Sequence, residues 1–422
     1  MNIGIIGNGG REHSICFKVK QSPLVKRIFC IPGNGGTSEI CENIDINIDN
    51  FDKLYEVVLE KKIKLLIVGP EQPLVNGITD YFEKRNIMIF GPSKGASQLE
   101  GSKVFMKNFC QKYDIPTAKY LEIKSIEQAK KNLDNFNLPI VVKSDGLAAG
   151  KGVTICNDRI TALKAIEEIL NGKFKSSSKV ILEEFLEGEE ASYFVITDGK
   201  FGLQIGTAQD HKRIGENDTG PNTGGMGAYS PSFLISEDIE KKILEKIIEP
   251  TLVGMKDIGF PYRGILYAGL MIKKNEPKLI EYNIRFGDPE CQILMMRLKS
   301  DLVEMIISSL NGTLKDKKIH WKNEHGITIV AASKGYPDKY EKFKEIKNIN
   351  NFTNNDYRQI FHAGTIKKDG GKVYSAGGRV LNSTVISESL KKARAEALGI
   401  LDNLDWENKY YRRDIGYKVI DK

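Results

Sequence analysis

The sequence predicts an α/β protein that opens with a doubly wound parallel sheet. Three observations predict it. Short apolar runs at 2–6, 27–31, 65–68 and 88–90 each stop at Gly or Pro, as buried parallel strands do. Helical patterns separate them, the first carrying Ile15, Phe17 and Val19, which implies strand–helix–strand crossovers. Glycine clusters stand at two strand exits, Gly7-Asn-Gly-Gly10 and Pro32-Gly-Asn-Gly-Gly36. Residues 1–101 are therefore read as one Rossmann-like domain.

The later elements follow in order. A helix is expected from Ser102, with Phe105, Phe109, Cys110 and Tyr113 on one face and Pro116 beyond its end. Residues 117–190 read as a small α/β lid within a larger body, 102–322. In that body Ile239, Ile243, Ile247 and Ile248 line a helix before Pro250. A small C-terminal α+β domain, 323–422, starts with a strand at 327–331. It adds a hairpin at Lys368-Asp-Gly-Gly-Lys372 and a helix from Ser387, where Leu390, Ala393, Ala397, Leu401 and Leu404 keep helical spacing.

Composition narrows the function classes. The 422 residues carry a formal net charge of +7, but no block of like charge and no basic–aromatic run suited to nucleic acid. Six cysteines show no C-x-x-C pair, which points to thiols in a reducing compartment. No stretch reaches transmembrane length. The expectation is a soluble cytoplasmic protein with small-molecule substrates, no nucleic acid or membrane partner, and a monomeric or weakly dimeric state.

The segment Pro139–Val153 nearly matches a phosphate loop, which reads G-x-x-x-x-G-K followed by Ser or Thr. Here Gly146 and Gly150 are one residue too close, and Gly152 stands where the hydroxyl belongs. The β-branched residues after it continue into a strand. That arrangement suits a flap folding over a polyphosphate, with Lys143, at the end of its own apolar strand, neutralising the phosphates. After another strand, Glu183-Glu-Phe-Leu186 and Glu187–Glu190 are either a nucleotide-framing hinge or solvated surface. In Lys278–Glu290, strand alternation puts Glu281, Asn283 and Arg285 on one face. Two oxygen donors suit magnesium, and an arginine beside them can stabilise a transferring phosphoryl group.

The first glycine cluster lacks the acidic residue that a dinucleotide site needs at the end of the second strand; Pro32-Gly-Asn34 stands there. It serves equally as a plain turn or as a phosphate-monoester site beside Arg11. Residues 209–227 read as a long polar loop of the kind that binds or covers ligands.

Together these stretches resemble the glycinamide ribonucleotide synthetase family of ATP-grasp ligases. The matching strings are GNGGREH at 7–13, PGNGGT at 32–37, GPEQPLVNG at 69–77, QLEGSK at 98–103 and KSDGLAAGKG at 143–152. They continue with EEFLEGEEAS at 183–192, QDHKRIGENDTGPNTGGMGAYSP at 209–231, IEYNIRFGDPE at 280–290, AGGRVL at 376–381 and RRDIGY at 412–417. The resemblance implies an ATP-grasp fold and the ADP-forming ligation of glycine to 5-phosphoribosylamine through a glycyl phosphate, in purine biosynthesis.

By position, it implies that Lys103 and Lys143 contact ATP phosphates under a flap of Gly146, Gly150, Lys151 and Gly152. Glu183, Glu184 and Leu186 would frame adenine, and Glu190 the ribose. Glu281 and Asn283 would hold Mg2+ or Mn2+, with Arg285 at the transferring group. Asp210, His211, Lys212 and Asp288 would hold glycine. Asn8, Gly9, Gly10, Arg11, Asn34, Gly36, Thr37 and Glu71 would hold phosphoribosylamine. Many ATP-grasp enzymes carry a further acid on the preceding strand; Tyr267–Met271 has none.

Overall fold

The computed structural model describes residues 1–148, 152–173 and 179–420. β1 (Asn2–Gly7), β2 (Arg27–Pro32), β3 (Glu42–Asn43), β4 (Ile63–Val68) and β5 (Met88–Phe90) pair in parallel, in the order β3-β2-β1-β4-β5. The winding reverses at β1, so the ligand crevice lies beyond its carboxyl end. Gly7 and the N-terminus of the Gly10–Lys20 helix stand there. Both faces of the sheet are buried: Ile6, Leu66 and Val68 pack into one core, and Ile3, Ile5, Leu65 and Ile67 into another.

The lid is an antiparallel sheet in the order β6-β9-β7-β8, made of β6 (Tyr120–Ile123), β7 (Ile140–Ser144), β8 (Val153–Cys156) and β9 (Val180–Glu184). Ile123, Val142, Ile166 and Leu182 give it its own core. Lys143 faces Val153 across the β7–β8 pair, so the glycine-rich segment does lead from strand to strand.

Five strands follow: β10 (Glu189–Asp198), β11 (Gly202–Asp210), β12 (Arg213–Gly215), β13 (Thr219–Asn222) and β14 (Gly227–Ser230). β15 (Arg263–Lys273) and β16 (Glu276–Asn283) come next. The remaining chain adds β17 (His325–Ala332), β18 (Glu345–Ile346), β19 (Arg358–His362), β20 (Thr365–Lys367), β21 (Val373–Ser375) and β22 (Arg379–Ser387). Eight strands make one sheet, β16-β15-β10-β11-β14-β17-β22-β19. β14 pairs with β11 on one side and β17 on the other, so one unbroken ladder joins strands that precede residue 322 to strands that follow it. Among the described residues, no helix is long and apolar enough to cross a membrane.

Three local expectations change. The 209–227 loop is not structureless: β12 and β13 form a hairpin whose turn residues Asn217 and Asp218 both take a φ of 54°. The isoleucine-lined helix does not end before Pro250. Helical winding runs from Glu237 to Asp257 with a wide turn at Leu244–Ile248, which lets a residue without an N–H follow. The last long helix begins at Leu390, with the Ser389 side chain accepting from Lys392 N, because β22 stays paired with β17 as far as Ser387.

Candidate active site

A cleft of about 1060 Å³ lies between the lid, the edge of the large sheet and the N-terminal sheet. The side of the cleft under the lid is built on regular strands and helix ends. Ser102 caps the Lys103–Lys112 helix, and Lys103 Nζ donates to Gly146 O at 2.8 Å. Asp145 Oδ1 accepts from Val104 N at 3.2 Å, fastening the flap base to the same helix. Ser144 N donates to Gly152 O at 2.8 Å, and a Cβ on Gly152 would stand 2.7 Å from that of Ala148. This close approach requires glycine. Gly150 and Lys151 lie outside the described residues.

Lys143 is buried, and its ammonium sits 2.9 Å from Glu183 Oε2. Glu183 Oε1 has no partner among the described residues. Glu184 Oε1 accepts from Lys119 N at 3.1 Å, while Leu186 lines the wall and Glu190 pairs with Lys212 at 2.7 Å. Glu281, Asn283 and Arg285 all line the cleft, but β16 ends at Asn283, so Arg285 reaches it from the turn beyond and not from the strand face. Burial disfavours the Glu281 carboxylate, but the charges of Lys212, Lys143, Lys103 and Arg285 outweigh it and hold its pKa below the ordinary value.

Glu281 pairs in register with Gly269, so no acid opposes it on β15. Among the described residues no group of three or more His, Cys, Asp or Glu could hold a metal ion. The donors fit a hard divalent cation that takes two protein oxygens and completes its shell with phosphate and water.

The other side is made of irregular segments. Arg285 Nε meets Glu71 Oε2 at 3.1 Å, and its Nη2 meets Glu100 Oε1 at 3.0 Å. Burial works against both acids. Arg285 and Arg11 nonetheless bring Glu71 down to about 2, whereas burial leaves Glu100 at about 7. Arg11 lines the cleft, with Nε 2.6 Å from Glu12.

Asn8, Gly9, Gly10, Asn34, Gly36 and Thr37 do not line it; they form a shelf beside it. A Cβ on Gly9 would stand 3.2 Å from Asp288 Oδ2. Asn34 spends its side chain on backbone, donating to Asn8 O (2.9 Å) and His362 O (2.8 Å) and accepting from Gly36 N and Thr37 N. Thr37 Oγ1 is likewise used, accepting from Asn34 N at 2.7 Å. Both side chains shape the shelf.

Asp288 accepts from Gln292 Nε2 at 2.7 Å and pairs with Arg379 at 3.2 Å. Burial opposes its charge, but Arg379 and Arg11 keep its pKa low. Arg379 also donates to Gly224 O (2.5 Å) and Asp288 O (2.6 Å), drawing the 209–225 loop onto the same point. Asp210 Oδ1 has no partner, and burial followed by the charge of Glu290 pushes this carboxyl well up. Glu290 accepts from Tyr267 OH at 3.0 Å and Ser192 Oγ at 3.2 Å.

His211 is no general base: its Nε2 accepts from Gly416 N at 3.1 Å, and burial, then Arg412, lowers its pKa to about 4. Arg412, fully buried, donates to Arg213 O and pairs with Asp218 and Asp414. The chain end thereby braces the β12–β13 hairpin.

Sequence reasoning passed over Glu100, Glu290, Lys107, Arg379 and Arg412. All but Lys107 stand inside the matching strings, which is the signal that could have found them.

A flap on an antiparallel lid, facing a Glu-x-Asn strand across a cleft, defines the ATP-grasp class. Family models described as phosphoribosylglycinamide synthetase match three segments: the N domain at 1–100, the ATP-grasp (A) domain at 101–291 and the C domain at 326–418. A phosphoribosylamine–glycine ligase from Agrobacterium fabrum (strain C58) is 46% identical over 421 residues, covering 100% of this chain and 99% of that one.

The crystal structure of phosphoribosylamine–glycine ligase from Thermotoga maritima superimposes with a TM-score of 0.86 at 33% identity, covering 98% of this chain and 100% of that one. The biotin carboxylase domain of Hydrogenobacter thermophilus 2-oxoglutarate carboxylase, solved with MgADP, shares the fold: TM-score 0.74 at 16% identity, covering 98% of this chain and 92% of that one. The chain belongs to the phosphoribosylglycinamide synthetase family and is a ligase.

Proposed function

We propose that this chain joins glycine to 5-phosphoribosylamine at the expense of ATP, giving glycinamide ribonucleotide, ADP and phosphate in purine biosynthesis. The observation that carries the reading is one cleft shared by the flap base, the Glu281–Asn283 pair and the Arg11–Glu71–Arg285 group. In this reading residues 1–101 present phosphoribosylamine, 102–322 activate glycine, and 323–422 brace the loops between them.

A glycine carboxylate oxygen attacks the γ-phosphorus of ATP, and ADP leaves. The glycyl phosphate then meets the amine of phosphoribosylamine at its carbonyl carbon; the C–N bond forms, phosphate departs and the amine loses a proton. Lys103 and Lys143 neutralise the phosphates, and flap residues 146–152, including Gly150 and Lys151, exclude water. Glu183, Glu184 and Leu186 frame adenine, and Glu190 takes the ribose hydroxyls. Glu281 and Asn283 hold Mg2+ or Mn2+, which when bound neutralises phosphate charge. Arg285 stabilises the transferring group. Asp210 and Asp288 receive the glycine ammonium, with His211 and Lys212 beside them. Such catalysis rests on positioning, so no covalent nucleophile is assigned.

A nicotinamide reading lacks its acid: Asn34 follows β2, and its side chain is committed to backbone. A monomer or weak homodimer in the cytoplasm fits small-molecule chemistry of this kind. The test is an assay of ADP and ribonucleotide with each substrate omitted in turn. Both products are expected only when glycine, phosphoribosylamine and ATP are all present. ADP release without glycine, and without ribonucleotide, would overturn the reading.

A further inference from the structure

Lys107 belongs to none of the sequence strings and does not line the cleft, yet its side chain is 0% exposed. Lysine is almost never fully buried unless paired. Its ammonium lies 3.2 Å from Glu183 Oε2, and it donates to Thr117 Oγ1 at 2.8 Å and Ala118 O at 3.4 Å. Thr117 Oγ1 in turn donates to Leu279 O at 2.7 Å. One lysine thus joins the Lys103–Lys112 helix, the entrance to the lid, β9 and, through Thr117, β16.

Lys143 reaches the same carboxylate oxygen of Glu183 at 2.9 Å. Two ammonium groups therefore share Oε2, while Oε1, also buried, has no donor among the described residues. An unsatisfied buried acceptor is a cost that a donating ligand removes. The carboxylate cannot swing round without breaking both ammonium contacts. The two lysines are not equivalent, because Lys143 lines the cleft and Lys107 does not. When nucleotide phosphates draw on the Lys143 charge, only Lys107 remains committed to Glu183.

Resting on the ATP reading of this cleft, we propose that Lys107 is a positioning residue for base selection. It holds Glu183 so that Oε1 accepts from the exocyclic amine of a 6-aminopurine. A 6-oxopurine presents an acceptor at that point, and acceptor faces acceptor. The lysine touches no substrate and acts only through Glu183.

The experiment compares ATP with inosine triphosphate, which carries an oxo group and an N1 proton in place of the amine, in the full-length enzyme with glycine and phosphoribosylamine. Lys107→Met is expected to lower the ATP-to-ITP ratio of kcat/KM at least tenfold, mainly through the KM for nucleotide, with the KM for glycine unchanged. Lys107→Gln keeps a donor without the charge and is expected to recover part of that ratio. Glu183→Gln, whose amide can donate as well as accept, is expected to bring the ratio near one.

Cooperative thermal melting qualifies each variant; if Lys107→Met does not melt cooperatively, Lys107→Gln is read against the same outcomes. An unchanged ratio in the lysine variants overturns the proposal, whether or not Glu183→Gln changes it. Failure of the unsubstituted enzyme to form ribonucleotide would instead overturn the function on which it rests.

Discussion

The two sides of the cleft are built in opposite ways. On the lid side, strands and helix ends present Lys103, Lys143, Glu281 and Asn283 to the cavity, and among the described residues Glu183 Oε1 is left without a donor. On the opposite side, built of loops, the polar side chains of Asn34, Thr37 and Asp288 are taken up by neighbouring backbone and side chains. Strands hold their own geometry through ladder bonds, so their side chains stay free for ligands. Loops have no ladder and spend side chains to acquire shape. The loop side is therefore where distant braces, Arg379 and Arg412, are needed.

The largest test of that contrast is Arg412→Met. It strips a fully buried guanidinium from Asp218 and Asp414, and breaking such a buried pair costs on the order of 3–5 kcal/mol. Urea unfolding is expected to show this loss, with a raised KM for phosphoribosylamine or glycine and little change for ATP. An unchanged midpoint would break the comparison.

Glu281→Gln should do the reverse. Its kcat is expected to fall by about 10²–10³-fold, the size found for removal of one preorganised electrostatic group. The unfolding midpoint should fall less than in Arg412→Met, because the loss is confined to the attraction of Glu281 for Lys212, Lys143, Lys103 and Arg285. A large loss of stability would show that the strand side also depends on its functional side chains.

The next effect is a pH dependence of stability. Burial lowers both His211 and His362 from 6.5 to about 4. As pH falls from 6.5 towards 4, the unfolded chain gains protons that the folded chain refuses. Their contribution is thus complete above that window and lost on descending through it. Each shift corresponds to roughly 3 kcal/mol at most. His362→Gln is expected to flatten the fall, measured as urea midpoints across the window. Smallest is Lys241→Ala, which removes an exposed pair with Glu245 at 3.8 Å; a change beyond about 0.5 kcal/mol would contradict its standing as a surface contact.

What could be read in advance follows the same division. Arg285 stands past the strand end and escapes the alternation, whereas the parallel N-terminal sheet, the flap between two strands and the Glu281–Asn283 pair declare themselves through periods and spacings only a few residues long. The β12–β13 hairpin did not, because a polar, glycine-rich stretch has no periodicity to show. Nor did the braces. Arg412 acts on residues near 218 and Arg379 on residues near 288, and no local pattern encodes a partner so far along the chain. Lys107 is one of several lysines in its helix, and only tertiary packing shows that it is buried.

The unbroken ladder through β14 bears on how the protein is made. A ribosome delivers β10, β11, β14, β15 and β16 well before β17, so β14 waits with an open edge until the chain beyond 325 emerges. Unpaired edges invite association with other chains. Truncation near residue 322 would make that exposure permanent, so fragments ending there should accumulate as aggregates rather than as a nucleotide-binding half-enzyme.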